Sequence, residues 1–183
     1  MAWAPDPRAC TPVPYAQYCR DGEPVHAMRY HWPRARELGW IVRDHWHAAL
    51  VESGVALFLA AGGESERLEA GRLRIIPAGT PHQVRADSDD GVLESYLVFL
   101  PAAVERLAAA LGRDRPAGFP WRTGAPAVTA ALDAEAGAEW TRLIDGLIMR
   151  PPTMADAVIC LGQVLRLREH AADVPYPDLP AWL

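Results

Sequence analysis

The sequence contains no lysine: all 18 of its basic residues are arginine. Such a bias follows from genomic base composition as readily as from phosphate recognition and carries no functional reading. Basic residues do not outnumber acidic ones either. The net charge is −5, whereas a surface that grips nucleic-acid phosphates needs a basic excess on one face. Direct nucleic-acid contact by this chain is therefore not expected. No apolar run approaches the roughly 20 residues that cross a bilayer, so no membrane partner is expected. The opening MAWAPDPRAC has no basic segment followed by an apolar stretch and a small-residue cleavage site, which predicts a cytoplasmic location. The three cysteines, Cys10, Cys19 and Cys160, lie far apart without C-x-x-C spacing, which excludes a disulfide framework and a zinc knuckle. Serine, cysteine and lysine nucleophiles in a recognisable setting are absent, and Gly62-Gly63 reads as a hairpin turn rather than a phosphate loop. Hydrolase and nucleotide-binding functions fall away.

What is present is a chain of 183 residues, 50% of them hydrophobic, enough for one domain with a sizeable core. The first 38 residues carry Pro5, Pro7, Pro12, Pro14, Pro24 and Pro33, too many for a long helix or a central strand. An extended arm with short edge strands is predicted there. From Gly39 the short apolar runs WIV, AALV, VALFLA, RLRII and VLESYLVFL alternate with SG, AAGG, EAG, PAG and DSDDG. Strands of that length between turn residues indicate a barrel or sandwich. After Pro101 the apolar period becomes helical. Ala102 to Leu111 places Val104, Leu107 and Leu111 on one face and stops at Gly112, a plausible C-cap. Beyond a proline- and glycine-rich bridge from Arg113 to Pro126, two longer helices are predicted. The first runs from Val128 to Met149. The second runs from Met154 to Ala171 and opens on Thr153 with Asp156 three residues on, an approximate capping box. These two helices should pack antiparallel and cover either the β layer or a partner subunit. The expected regions, within one compact domain, are 1–101 (proline-rich arm and β region), 102–174 (helical region) and 175–183 (a linker).

Two segments carry chemistry. The run Gly71-Arg-Leu-Arg-Ile-Ile-Pro77-Ala-Gly79-Thr-Pro-His82-Gln-Val-Arg-Ala86 resembles the second cupin motif, G-x5-P-x-G-x2-H-x3-N, except that Ala86 stands at the last position. Gly71 turns the chain into a strand, Pro77 and Gly79 shape the next turn, and His82 re-enters pointing inward. Upstream, Gly39-Trp-Ile-Val-Arg-Asp-His45-Trp-His47-Ala-Ala-Leu-Val-Glu52 resembles the first cupin motif up to its glutamate. In this register His45 and His47 share one strand face and join His82 in a three-imidazole cluster suited to iron, zinc, nickel or manganese. A second register is open. If Gly54 is the turn that follows the motif, the usual histidine positions fall on Ile41 and Arg43, and His47 sits near the usual glutamate position. Both registers put Arg43, His45 and His47 on one strand face, and they disagree about a full metal site. Glu94 and Tyr96 are candidate partners for the histidines. An inward Arg43 implies an acidic or carbonyl-bearing ligand, because a buried unpaired charge is costly; the other reading places it on the surface.

From Asp44 to Leu183 the order of features is similar to the effector-binding and dimerisation domain of AraC-type transcriptional regulators. The resemblance rests on the turn Val51-Glu52-Ser53-Gly54, the run Leu73 to His82, the strand Ser95-Tyr-Leu-Val-Phe-Leu-Pro101 and the two helices after it. The fold it implies is mainly β with C-terminal helices, a cupin-like jelly-roll barrel followed by two antiparallel helices. It also implies a small-molecule effector, a homodimer through the C-terminal helices, and no cofactor. Asp178-Leu-Pro-Ala-Trp-Leu183 looks like the segment that, in these regulators, leads into the helix-turn-helix motifs. On this reading His45, His47, His82, Arg43, Glu94 and Tyr96 are ligand-binding residues. The alternative is a stand-alone metal-dependent cupin enzyme, a dioxygenase, isomerase or lyase, with His45, His47 and His82 holding the metal.

Overall fold

The computed structural model describes residues 10–17, 23–60, 65–112 and 120–171. Ten strands and three helices follow one another: β1 (Thr11–Val13), β2 (Val25–Trp32), β3 (Glu37–Arg43), β4 (Trp46–Ser53), β5 (Val55–Ala60), β6 (Ser65–Glu69), β7 (Arg72–Ile76), β8 (His82–Ala86), β9 (Val92–Phe99), α1 (Pro101–Leu111), β10 (Val128–Ala131), α2 (Ala134–Ile148) and α3 (Met154–Ala171). They form two five-stranded sheets among the described residues, ordered β1-β3-β8-β5-β6 and β10-β7-β4-β9-β2. The predicted β class with C-terminal helices is what the chain adopts. The sheets lie face to face and stay open rather than closing into a barrel.

Burial explains the layering. Strand alternation sends successive side chains to opposite faces. In β4, Ala49 and Val51 join Phe58, Leu68 and Ile76 between the sheets, while Trp46, Ala48 and Leu50 join a second cluster with the helices. That second cluster holds Trp140 and Ile144 of α2 and Leu161 and Val164 of α3. β4 is thus buried on both faces, which is why it reads as a continuous buried run.

The edge position expected for the proline-rich region holds for β2, which Pro24 and Pro33 bracket and which, among the described residues, pairs only with β9. It is nonetheless a full strand of eight residues, longer than the short strands expected. Cys19, the Gly62-Gly63 turn and the segment Asp178 to Leu183 lie outside the described residues.

Helix ends follow local chemistry. Pro101 starts α1, and the Gly112 N–H donates to Ala108 O at its end. Thr153 and Asp156 cap α3 reciprocally: the Thr153 N–H donates to Asp156 Oδ2 at 2.7 Å, and the Asp156 N–H donates to Thr153 Oγ1 at 3.3 Å. The expected helix from Val128 to Met149 is corrected. Its first four residues are β10, paired antiparallel with β7, and α2 starts only after Asp133, whose carboxylate accepts from the Ala136 N–H at 2.8 Å. The free edge of β7 offers those residues a ladder, and β-branched Val128 and Thr129 suit it. Glu139 of α2 forms an ion pair with Arg166 of α3, while the helix that α3 packs on most extensively is α1.

Gly54 decides between the two registers. It is the β4–β5 turn, at φ +81°, and a Cβ there would lie 2.2 Å from the Gly91 carbonyl oxygen. The second register therefore holds: Ile41 and Arg43 stand at the end of β3, with Ile41 directly opposite His82 on β8.

Candidate functional site

The sandwich is tied shut along one side. There Glu66 of β6 pairs with Arg74 of β7 and accepts from Thr129 of β10 at 3.0 Å. Along the opposite side, between β2 and β3, a cavity of about 290 Å³ opens. Trp32, Arg43, His47 and Tyr96 form its floor and also wall a deeper void of about 20 Å³ beside Glu94 and Phe58, the space of about one water. Met28 of β2, Leu38 of β3 and Val98 of β9 supply an apolar wall.

The six residues expected at the site do not all meet. Arg43, His47 and Tyr96 line the cavity, and Glu94 lies behind its floor. Arg43 and His47 do not share a strand face, which corrects both registers on that point: Arg43 ends β3 in one sheet and His47 lies in β4 of the other. They approach across the sandwich. His45 is displaced altogether. It sits in the β3–β4 turn, fully buried, with Nδ1 bonded to Asp44 Oδ1 at 2.9 Å and its ring edge-on to Tyr15, and it lines neither space. Two residues form that turn, so the spacing that would align His45 with His47 on a strand does not apply.

His82 is inward and fully buried, stacked on Phe58. Its Nδ1–H donates to Thr80 O at 2.8 Å, and its Nε2 accepts from Arg43 Nη1. Burial, followed by the Arg43 charge, pushes its pKa down to about 3. Burial lowers His45 to about 4, and burial with Arg43 beside it holds His47 well below the ordinary histidine value. All three imidazoles are neutral at pH 7. The Trp32 Nε1–H donates to Tyr96 OH at 2.6 Å, and Tyr96 donates in turn to Glu94 Oε2. Burial raises the Glu94 pKa, although the hydrogen bond from Tyr96 works the other way.

These residues do not fit a transition metal held by His45, His47 and His82. The Nε2 lone pair of His82 is taken by a guanidinium, and His45 faces Asp44. Among the described residues no three of His, Cys, Asp and Glu gather within reach of one ion. What the floor does offer is polar capacity without partners: both ring nitrogens of His47 and Nε of Arg43 are buried with no hydrogen bond.

A cavity between two open sheets, with helices behind one of them, has a counterpart among known families. The profile of the AraC-like ligand-binding domain matches residues 20–148. The chain belongs to that family. Its AraC-type fold is also seen in ToxT from Vibrio cholerae. ToxT of strain O395 bound to (E)-4-(8-methylnaphthalen-1-yl)but-3-enoic acid superposes with TM-score 0.57 at 10% identity, over 80% of this chain and 57% of its own. Wild-type ToxT of strain SCE256 bound to an unsaturated fatty acid gives TM-score 0.56 at 9% identity, over 80% of this chain and 55% of its own. A further ToxT structure at 1.65 Å gives 0.57 at 10%, over 86% and 60%. This chain therefore spans less than two thirds of the length of ToxT. No curated protein matches the sequence. The AraC-type domain has no helix among its described residues long and apolar enough to cross a membrane.

Three of the cavity-lining residues that motif reading did not single out come from β2. Met28, Tyr30 and Trp32 alternate with Ala27, Arg29 and His31, a strand periodicity that was available in the sequence but lay within the proline-rich arm. Arg74, buried over the Phe58 ring at 3.6 Å, carried no motif signal at all.

Proposed function

We propose that this chain is the effector-sensing part of a cytoplasmic AraC-type transcriptional regulator, in which a small molecule entering between β2 and β3 shifts an equilibrium that the rest of the protein reads out. The observation that carries this is the cavity of about 290 Å³ floored by Arg43, whose Nε has no hydrogen-bond partner, and by His47, whose ring nitrogens have none. Its size falls at the small end of ligand pockets, ~300 Å³, and its mix of an apolar wall with a few convergent polar groups is what such pockets share. The ligands of ToxT support a small organic effector. An effector acts only through different affinities for two states, and β2 is placed to transmit one. Arg29 on its outer face binds Glu52 of β4 at 2.9 Å and Asp145 of α2 at 2.5 Å, so a shift of β2 reaches the helices.

Filling the cavity tests the reading. A panel of small alkyl and aryl compounds, charged and neutral, is expected to include members that raise the melting temperature of the native chain and lose that effect in Leu38→Trp. Shifts of equal size in both proteins, or none in either, would sink it.

The proposed homodimer uses the helical layer, where Ile148, Met149 and Ile159 are 49%, 84% and 58% exposed. Sedimentation of the chain is expected to show a concentration-dependent dimer that Ile159→Glu dissociates; a monomer at all concentrations refutes this arrangement.

A further inference from the structure

The polar end of the cavity says which class of effector it takes. We propose that the site selects a monocarboxylate, with the carboxylate seated between Arg43 and His47 and an apolar body lying toward Met28, Leu38 and Val98. This rests on the effector-binding reading and goes one step beyond it.

Arg43 is 5% exposed, and among the described residues no carboxylate stands within 4.0 Å of its guanidinium. Its one hydrogen bond goes to His82, whose imidazole is already neutral and gives no compensating charge. A guanidinium removed from water with no counter-ion costs several kcal/mol. Proteins retain one where an anion will meet it, and the fork of donors on Arg43 suits the two oxygens of a carboxylate. The protein's own acid is not available for this. Glu94 lines the small void with Arg43 and feels its charge, but no contact within 4.0 Å joins them, and the Glu94 carboxyl takes the Tyr96 hydroxyl instead.

His47 completes the seat. It is 5% exposed on the opposite sheet, faces the same cavity, and has both ring nitrogens free of hydrogen bonds. A neutral imidazole donates one N–H, so Arg43 and His47 together offer one positive charge and donors from two directions. That matches one carboxylate. A phosphate monoester would bring about two negative charges to a floor with a single buried cation. The other basic residue of the cavity, Arg36, is exposed at the mouth. The deep end is polar, and the walls above it are Met, Leu and Val, so the molecule enters charge first.

The test uses matched pairs on the native chain by calorimetry at pH 7.5: hexanoate, decanoate and 4-phenylbutanoate, the primary amide of each, and phenyl phosphate. At least one carboxylate is expected to bind tenfold or more tighter than its amide, and to lose that preference in Arg43→Gln. Glutamine still offers His82 an N–H donor, and far-UV circular dichroism checks that the variant is folded. An amide binding as tightly as its acid overturns the carboxylate inference while leaving effector binding intact. Tighter binding of phenyl phosphate, an undiminished preference in folded Arg43→Gln, or no binding by any acid overturns it too. Failure of the sensor reading itself shows separately, in compounds whose effect Leu38→Trp does not change.

Discussion

Between pH 6.5 and about 4 the folded chain is expected to lose roughly 3 kcal/mol of stability per pH unit. His45 and His82 are held at about 4 and about 3, and His47 is lowered as well, so all three stay neutral in the fold where the unfolded chain takes up a proton near 6.5. A histidine whose folded pKa is depressed contributes stability that is complete above the unfolded value and is lost as pH falls toward the folded one. Each contributes about 1.4 kcal/mol per pH unit in that window. Glu94 opposes them. Its pKa is raised by burial, so the fold takes up that proton before the unfolded carboxyl does, which recovers part of the loss as the pH falls. The net fall by pH 5 is on the order of 4 kcal/mol, a large share of the total stability of a domain. Urea unfolding at pH 7.5, 6.5, 5.5 and 5.0 measures the slope, and His47→Leu should flatten it by about 1.4 kcal/mol per unit. A stability independent of pH across this range contradicts three neutral, buried imidazoles.

The second large effect lies in the helical layer. Trp140 is fully buried, and its Nε1–H donates to Ser95 Oγ on β9 at 2.7 Å. It joins α2 to the outer face of the central sheet. Trp140→Ala removes the largest fully buried side chain among the described residues and leaves the Ser95 hydroxyl without its donor. Large-to-small changes of this kind cost about 3–5 kcal/mol, with about 1 kcal/mol or more for the stranded hydroxyl. Trp140→Phe should cost much less, since it keeps most of the packing and loses mainly the hydrogen bond. Denaturant midpoints of the two variants separate the contributions. Equal, small losses would mean that α2 is not docked through Trp140.

Much of the fold was legible because it is written in local patterns. The G-x5-P-x-G-x2-H run forms the β7–β8 turn with Gly79 at φ +75°, and Thr153 with Asp156 caps α3 as the spacing implied. The misread elements share a cause. Val128 to Ala131 has the composition of either a helix start or a strand, and only the unpaired edge of β7 makes it a strand. His45 and His47 are two apart, which aligns side chains on a strand but not across a turn.

The candidate site divides in the same way. Its residue types were visible in one dimension: an arginine and histidines in a cupin-like frame, and an AraC-like order of strands and helices. Those follow from spacing and turn chemistry, which act between near neighbours and need no partner elsewhere in the chain. Three things were decided only by the tertiary structure. Arg43 and His47 face each other from different sheets, Arg43 occupies the lone pair of His82 that a metal would need, and β2 from the proline-rich region walls the cavity. Each depends on which strands pair and which side of the sandwich stays open. Backbone hydrogen bonding and apolar burial settle that over the whole chain, so a motif read by itself reports the ligands it has but not what stands across from them.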